Sequence, residues 1–401
     1  MASFEEYHDI VIVGGGICGL ATALALHRKG FRSLVLERSK ILRATGAAIG
    51  VLANGWRALD QLGVGYKLRQ TAIPMERTCD IWIDKGRKQE YLLHEARCLK
   101  RSDLVETLAD ALPPGTIRFG CQVVSVKMDP RTNYPTLQLD NGNSIITKVL
   151  IGCDGSRSIV ADFLELTPPK QFEIAAFRGL ANYTDGHKLS HEFIRMRRGN
   201  AMMGRIPITE TLVYWFVGQQ LAKSNTDTAI ARDPKLMKQT VIDSLEGFPS
   251  DFKELIEDSN LESLSFYHIK YRAPWELLLR QFRKGTVLVA GDAMHVMGPF
   301  LGQGGSAALE DAVVLARNLS QKISAEELHD KMSIDKVVGN AFDQYLKERR
   351  WRLLRLSLQS YLSGVLFETT SLVKRFIAVT AMISLFSRDP MGHTKFDCGL
   401  L

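Results

Sequence analysis

Residues 10–19 read Ile10-Val-Ile-Val-Gly-Gly-Gly-Ile-Cys-Gly19, and this stretch decides the fold. Four apolar residues without a polar interruption mark a strand buried on both faces, as in a parallel sheet. Gly14, Gly16 and Gly19 follow, then the Ala/Leu-rich run LATALALHRKG, which reads as a helix closing at Gly30. A second apolar run, Ser33-Leu-Val-Leu36, ends on Glu37. Strand, glycine loop, helix, strand and acid thus fall within about 30 residues, as in a dinucleotide-binding unit. One glycine permits the tight turn, one lets backbone approach a pyrophosphate, and one lets helix and strand pack closely. The helix start offers unpaired N–H groups and a positive dipole end to phosphates, and the acid accepts ribose hydroxyls. FAD and NAD both suit this unit taken alone.

Two later segments also place an acid at a strand end. Val149-Leu-Ile-Gly152 runs into Cys153-Asp154-Gly155, and Thr286-Val-Leu-Val-Ala290 into Gly291-Asp292. Open α/β sheets bind ligands at the carboxyl ends of their strands, where such carboxylates can accept ribitol hydroxyls. A Gly-rich loop follows Asp292, then a helix expected from about Gly304 to Leu319. TIRFGCQVVSVK from Thr116, TLQLD and SIITK, around an Asn141-Gly142 turn, predict a three-stranded meander with a hairpin. From about residue 171 to 272 the text changes. Strand-like runs Leu212–Val217 and Leu264–Tyr271 are apolar or aromatic on both faces, and a helical stretch lies near Leu236–Leu245. The expectation is an α/β protein with a Rossmann-like domain, a second sheet-based domain whose inner face covers the ligand, and C-terminal helices over Phe342–Phe386.

Composition narrows the function classes. Lys and Arg number 51 against 44 acids, a net +7, but they are scattered. A dispersed positive surface fits an anionic cofactor or substrate rather than nucleic acid. The six cysteines form no CxxC pair and meet no His cluster at zinc spacing. That predicts no metal, no disulfide framework and a reducing compartment. The start, MASFEEYHD, reads as neither a signal nor a transit peptide, and Phe376–Phe386 is short of the roughly 20 residues of a bilayer span. A cytoplasmic location is expected.

With its three glycine–acid stretches in this order, the chain resembles the single-component FAD-dependent aromatic hydroxylases, the group A flavoprotein monooxygenases. It is most similar to the branch of plant monooxygenases, zeaxanthin epoxidase and FAD-dependent urate hydroxylase. That branch has a flavin loop like Gly46-Ala-Ala-Ile-Gly50 and a loop like Gly302-Gln-Gly-Gly305. The resemblance implies an FAD-binding domain made of residues 1–75, 100–172 and 273–360. Residues 76–99 and 173–272 would form the substrate domain, and 361–401 a C-terminal helical segment.

It also implies roles. Glu37 would hold the adenosine ribose with Arg38 beside the adenine, and Val124 would offer backbone at that end. Arg101 would reach FAD from a helix start, and Asp154 would serve both FAD and a transient NAD(P)H. Asp292 would bind ribitol and pyrophosphate, and Pro299 would sit against the isoalloxazine. Gly14, Gly16, Cys18, Gly19, Gly50, Gly302, Gln303, Gly304, Gly305 and Ser306 would complete the cofactor loops. Free N–H groups where the helix starts at Gly304 would face the anionic edge of reduced flavin. The family's reaction is reduction of FAD by NAD(P)H, formation of a flavin hydroperoxide, and transfer of one oxygen atom to an aromatic or alkenyl molecule, by hydroxylation or epoxidation. The other readings are a flavin oxidase or dehydrogenase without oxygen insertion, and a flavin redox sensor.

The expected partners are molecular oxygen and a small apolar or aromatic substrate lying between flavin and sheet. Tyr214 and Phe216 share one strand face, Val213 and Trp215 the other. Tyr214 approximately matches a tyrosine lining the urate site in the urate-hydroxylase branch and is the candidate catalytic residue. Where that branch grips urate with an arginine, this chain has Met202, which cannot pair an anion. Met202, Met203, Phe216 and Met297 are expected to make an apolar pocket, with Arg205 a possible anion anchor. His295 is expected to pack or to bond backbone. The segment Tyr361–Phe386 is expected to pack on the body, the other readings being a lid or a membrane-surface contact.

Overall fold

In the computed structural model, residues 5–42, 48–221, 224, 226–324, 326–327, 334–389 and 391–401 are described. Strand Glu5–Val13 lies at the centre of the first sheet, parallel to Ser144–Gly152 on one side and Leu34–Glu37 on the other. Val287–Val289 continues the parallel array beyond Gly152, and Ile117–Phe119 closes the far edge. Val13, Glu37, Gly152 and Val289 therefore end along one rim. Helix Ile17–Arg28 is buried all round from Ile17 to Leu26, which explains its unbroken Ala/Leu text. It packs between this sheet and helix Gly304–Ser320.

The second sheet has seven strands, in the order 265–271, 170–182, 212–220, 201–207, 192–198, 77–82 and 87–92. One face buries Val213, Trp215, Val217 and Met203 against helices Pro234–Ser244 and Ser250–Glu257. On the other, Leu180, Phe193 and Tyr214 pack against the core of the first sheet. Alternation along Leu212–Gln220 is what separates the two environments.

Three expectations change. TIRFGCQVVSVK is two strands, broken at Gly120 with φ +66°: Ile117–Phe119 joins the parallel sheet, and Val123–Met128 pairs antiparallel with Pro135–Leu139. SIITK does form the third meander strand, Ser144–Ile146 pairing antiparallel with Thr136–Gln138, but it does not end there: it is the first half of one nine-residue strand, Ser144–Gly152. Thr147 does not interrupt it, because its buried hydroxyl donates to the Val149 carbonyl. The boundaries drawn at 99 and 360 both cut elements. Ala96–Lys100 pairs with Ala48–Leu52, and helix Ile334–Glu368 runs through residue 360 before Leu372–Phe386 begins.

Candidate active site

The carboxyl rim of the parallel sheet opens onto a cavity of about 1150 Å3. Gly14, Gly16, Glu37, Arg38, Arg101, Val124, Asp154, Asp292 and Pro299 all line it. Gly14 has φ +104°, and a Cβ there would lie 2.5 Å from the Cys153 carbonyl oxygen. A Cβ on Gly19 would lie 1.9 Å from the Gly14 oxygen. Only hydrogen fits at these two crossings. Gly16 is the opposite case, with no atom within 4 Å of the Cβ position. It starts helix Ile17–Arg28 without a side-chain cap, so the first-turn N–H groups are left for a ligand.

The acids do two jobs each. Glu37 is buried, accepting the Gly15 N–H at 2.9 Å and the Ser39 N–H at 2.8 Å. It therefore fixes the glycine loop as well as lining the cavity. Asp154 accepts the Ser158 hydroxyl at 2.5 Å and the Ile159 N–H at 2.7 Å, capping a short helix. Burial raises its pKa, and these hydrogen bonds oppose the rise. Arg101 begins helix Arg101–Asp110 with no ion pair among the described residues. Burial lowers its pKa, the nearby Arg178 cation adds to that, and Asp292 opposes it. A desolvated guanidinium without a counter-ion is suited to a phosphate. The adjacent Cys153 and burial hold the Cys18 thiol well above the ordinary thiol range, which disfavours its thiolate.

Next to this wall stands a second. A Cβ on Gly305 would meet the Ile49 side chain at 2.2 Å, and one on Gly55 the Ser306 hydroxyl at 2.5 Å. Asn54 donates to Gln303 at 2.8 Å. Gly50, Gly302 and Gly304 face open space. Residues 46 and 47 of the Gly46–Gly50 loop lie outside the described residues. Helix Gly304–Ser320 also starts without a side-chain cap. The uncapped helix start at Gly16, the glycines of the cavity wall and Arg101 together fit a pyrophosphate-bearing dinucleotide.

Behind both loops runs a charged network that sequence reasoning missed. His295, Glu310, Asp311 and Arg349 are wholly buried. Asp311 accepts the Gly291 N–H at 3.0 Å and contacts His295 Nε2 at 2.6 Å, so His295 bonds a carboxylate rather than backbone. Arg349 joins Asp311 at 2.7 Å and Glu310 at 2.7 Å, and Asn54 donates to Glu310 at 2.6 Å. The signal was the adjacent pair Glu310-Asp311 inside an otherwise apolar helix.

Strand register sorts the substrate-side candidates. Tyr214 opposes Ile206, Phe216 opposes Gly204, and Met202 opposes Gly218, all on the inner face. Met203 opposes Val217 and Arg205 opposes Trp215, so both belong to the other face. Met203 is core, and Arg205 pairs with Asp251 at 2.6 Å. Neither serves the pocket. The inner face is also more cationic than expected. Arg178 lines the cavity over the Tyr267 ring, while Arg195 is held by Asp80 and donates to the Phe300 carbonyl at 3.2 Å. Met297 lines the cavity. Tyr214 stands behind that wall, and burial holds its hydroxyl well above the ordinary phenol value.

Comparison with known proteins agrees with this geometry. The family model described as FAD binding domain matches residues 7–336. "Monooxygenase 1" of Arabidopsis thaliana is 49% identical over 402 residues, covering 99% of this chain and 100% of the relative. "Monooxygenase 2" of the same plant is 35% identical, covering 99% of each. Among solved structures, Klebsiella pneumoniae HpxO complexed with FAD and uric acid has a TM-score of 0.78 at 21% identity, over 97% of this chain and 96% of that one. At that identity the likeness concerns the fold alone.

Proposed function

Since this chain belongs to the FAD-dependent monooxygenases, we propose that it draws electrons from a transient NAD(P)H and places one oxygen atom on an aromatic or alkenyl small molecule. The observation that carries the reading is the shared cavity. Glycine–acid loops with the uncapped helix start at Gly16 line it together with Arg178 and Tyr267 of the substrate sheet and with Met297 and Pro299. FAD, when bound, supplies the electron transfer and the activation of oxygen.

The chain's own residues bind, orient and exclude water. The Gly16 helix start and Arg101 would hold the pyrophosphate, and Glu37 with Arg38 and Val124 would hold the adenosine. Asp154 and Asp292 would hold the ribitol, and Pro299 would stand against the ring. The uncapped helix start at Gly304 would offer backbone N–H groups to negative charge on the ring. Phe193, Tyr214 and Phe216 form a dry inner face that keeps water from the reacting atoms.

The test is turnover with candidate aromatic and alkenyl compounds. A substrate should accelerate NADH or NADPH consumption and oxygen uptake together, and its product should gain one oxygen atom. Dehydrogenation without that mass gain would replace the proposal by an oxidase or dehydrogenase. Absence of stimulation by any compound would favour a redox sensor.

A further inference from the structure

Helix Leu372–Phe386 leaves most of its apolar surface in solvent. Only Ala378 and Phe386 are buried, packed near Leu358, Leu362 and Leu366 of the long helix Ile334–Glu368. On the far side Leu372 is 81% exposed, Phe376 73% and Ile377 61%, with Val373 and Ile383 also exposed. At helical spacing these residues share one stripe, in which Thr380 and Ser384 are the polar members. A stripe of this kind on a stable protein marks a contact surface.

The charges say what it contacts. The helix contains no acidic residue, and Lys374 and Arg375, both exposed, lie on its two sides between the stripe and the packed face. Arg355 lies over the Phe386 ring at 5.7 Å, and one turn earlier on the long helix Trp351 is 69% exposed. At the other side of the long helix's last turns, exposed Trp275 packs edge-on against Tyr361 at 5.8 Å, with Lys170 over its ring. An exposed apolar stripe on a helix whose only charges are two long, exposed cations matches the surface of an anionic bilayer, where such side chains reach the headgroups. Among the described residues no helix is long and apolar enough to cross a membrane, so the contact would be with its surface.

We propose that helix Leu372–Phe386 docks the protein onto an anionic lipid bilayer, lying in the plane of the headgroups with Leu372, Val373, Phe376, Ile377 and Ile383 in the acyl boundary. The docked end of the long helix carries Tyr361, which meets Tyr271 at 5.3 Å, and Tyr271 stacks on Phe172 at 4.2 Å. Phe172 in turn contacts Phe300 of the Pro299–Leu301 turn, so the docking face backs directly onto the active-site loop.

The test is cosedimentation of the full-length, flavin-loaded protein with vesicles of phosphatidylcholine alone and of phosphatidylcholine mixed with phosphatidylserine. Binding to the anionic vesicles, weakened by salt, is expected. Phe376→Glu with Ile383→Glu should abolish it, while Lys374→Ala and Arg375→Ala should each weaken it about fivefold. Flavin absorbance and Tm should stay unchanged in all variants. The proposal is overturned if the wild type sediments with neither vesicle, or if Phe376→Glu with Ile383→Glu sediments like the wild type. It is equally overturned if those two substitutions dissolve a self-associated species that ignores vesicles.

Discussion

His295 Nε2 and Asp311 Oδ2 meet at 2.6 Å with both side chains wholly buried. The same Asp311 oxygen accepts the Gly291 N–H, and its other oxygen takes Arg349. One carboxylate therefore ties the strand end carrying Gly291-Asp292 to helix Gly304–Ser320 and to the long helix. Removing Asp311 takes the partner from His295 Nε2 and from the Gly291 N–H and leaves buried Arg349 with Glu310 alone. Asp311→Ala should cost about 3–5 kcal/mol, read as a lower midpoint in urea unfolding. Asp311→Asn, which keeps the shape, should cost less.

Acid should act on the same cluster. Burial pushes the Asp311 carboxyl up, but the His295 and Arg349 charges and hydrogen bonds outweigh it and hold the group well below the carboxylate range. Glu310 is likewise lowered overall, with Arg349 and Arg352 overcoming burial. A group whose pKa falls on folding adds its full stabilisation above its unfolded value and loses it as pH falls toward the folded one. Stability should thus begin to decline below about pH 4, the ordinary carboxylate value. Asp311→Asn should flatten that decline, measured as Tm against pH.

Two glycines separate folding from cofactor affinity. Gly16→Ala adds a methyl where nothing lies within 4 Å, and its φ of −86° suits any residue. The variant should fold normally and bind FAD more weakly. Gly19→Ala puts its Cβ 1.9 Å from the Gly14 oxygen, so it should lower Tm as well. Flavin fluorescence titration and thermal unfolding distinguish the two.

Arg101 has no counter-ion among the described residues, and Arg178 repels it. Arg101→Met should relieve that repulsion and keep the apoprotein as stable or more so. Losing a charge-assisted hydrogen bond of about 1.5–3 kcal/mol should cost roughly 10- to 150-fold in FAD affinity. A drop in Tm with unchanged affinity would contradict this assignment.

Tyr214 is the weaker candidate. Burial holds its hydroxyl above the ordinary phenol value, so it stays protonated through neutral pH and can only donate or accept a hydrogen bond. Tyr214→Phe should alter kcat/KM by less than about tenfold, the worth of one neutral hydrogen bond. The pH profile between the two proteins should be unchanged.

The parallel core was legible because its strands are short apolar runs whose ends carry glycine and acid within a few residues. Gly14, Glu37, Asp154 and Asp292 could be placed from spacing and then meet at one cavity. The substrate sheet was legible only within single strands. Alternation put Tyr214 and Phe216 together, but Met203 and Arg205 needed the register between strands 201–207 and 212–220, which a lone sequence does not display. The His295–Asp311–Arg349 cluster was hidden for a related reason. Its members lie on three separate elements, and Arg349 looks like any other cation in the basic text of the long helix.

The strand Ser144–Gly152 sets an order of assembly. Its Leu150–Gly152 edge waits for Val287–Val289, and the whole of strands 170–182, 192–198, 201–207, 212–220 and 265–271 is synthesised in between. During translation the nascent amino-terminal half therefore carries an unsatisfied, apolar sheet edge until the carboxyl-terminal part has left the ribosome. Late closure of this kind slows folding and exposes the chain to aggregation, so shielding by chaperones should matter most in that interval.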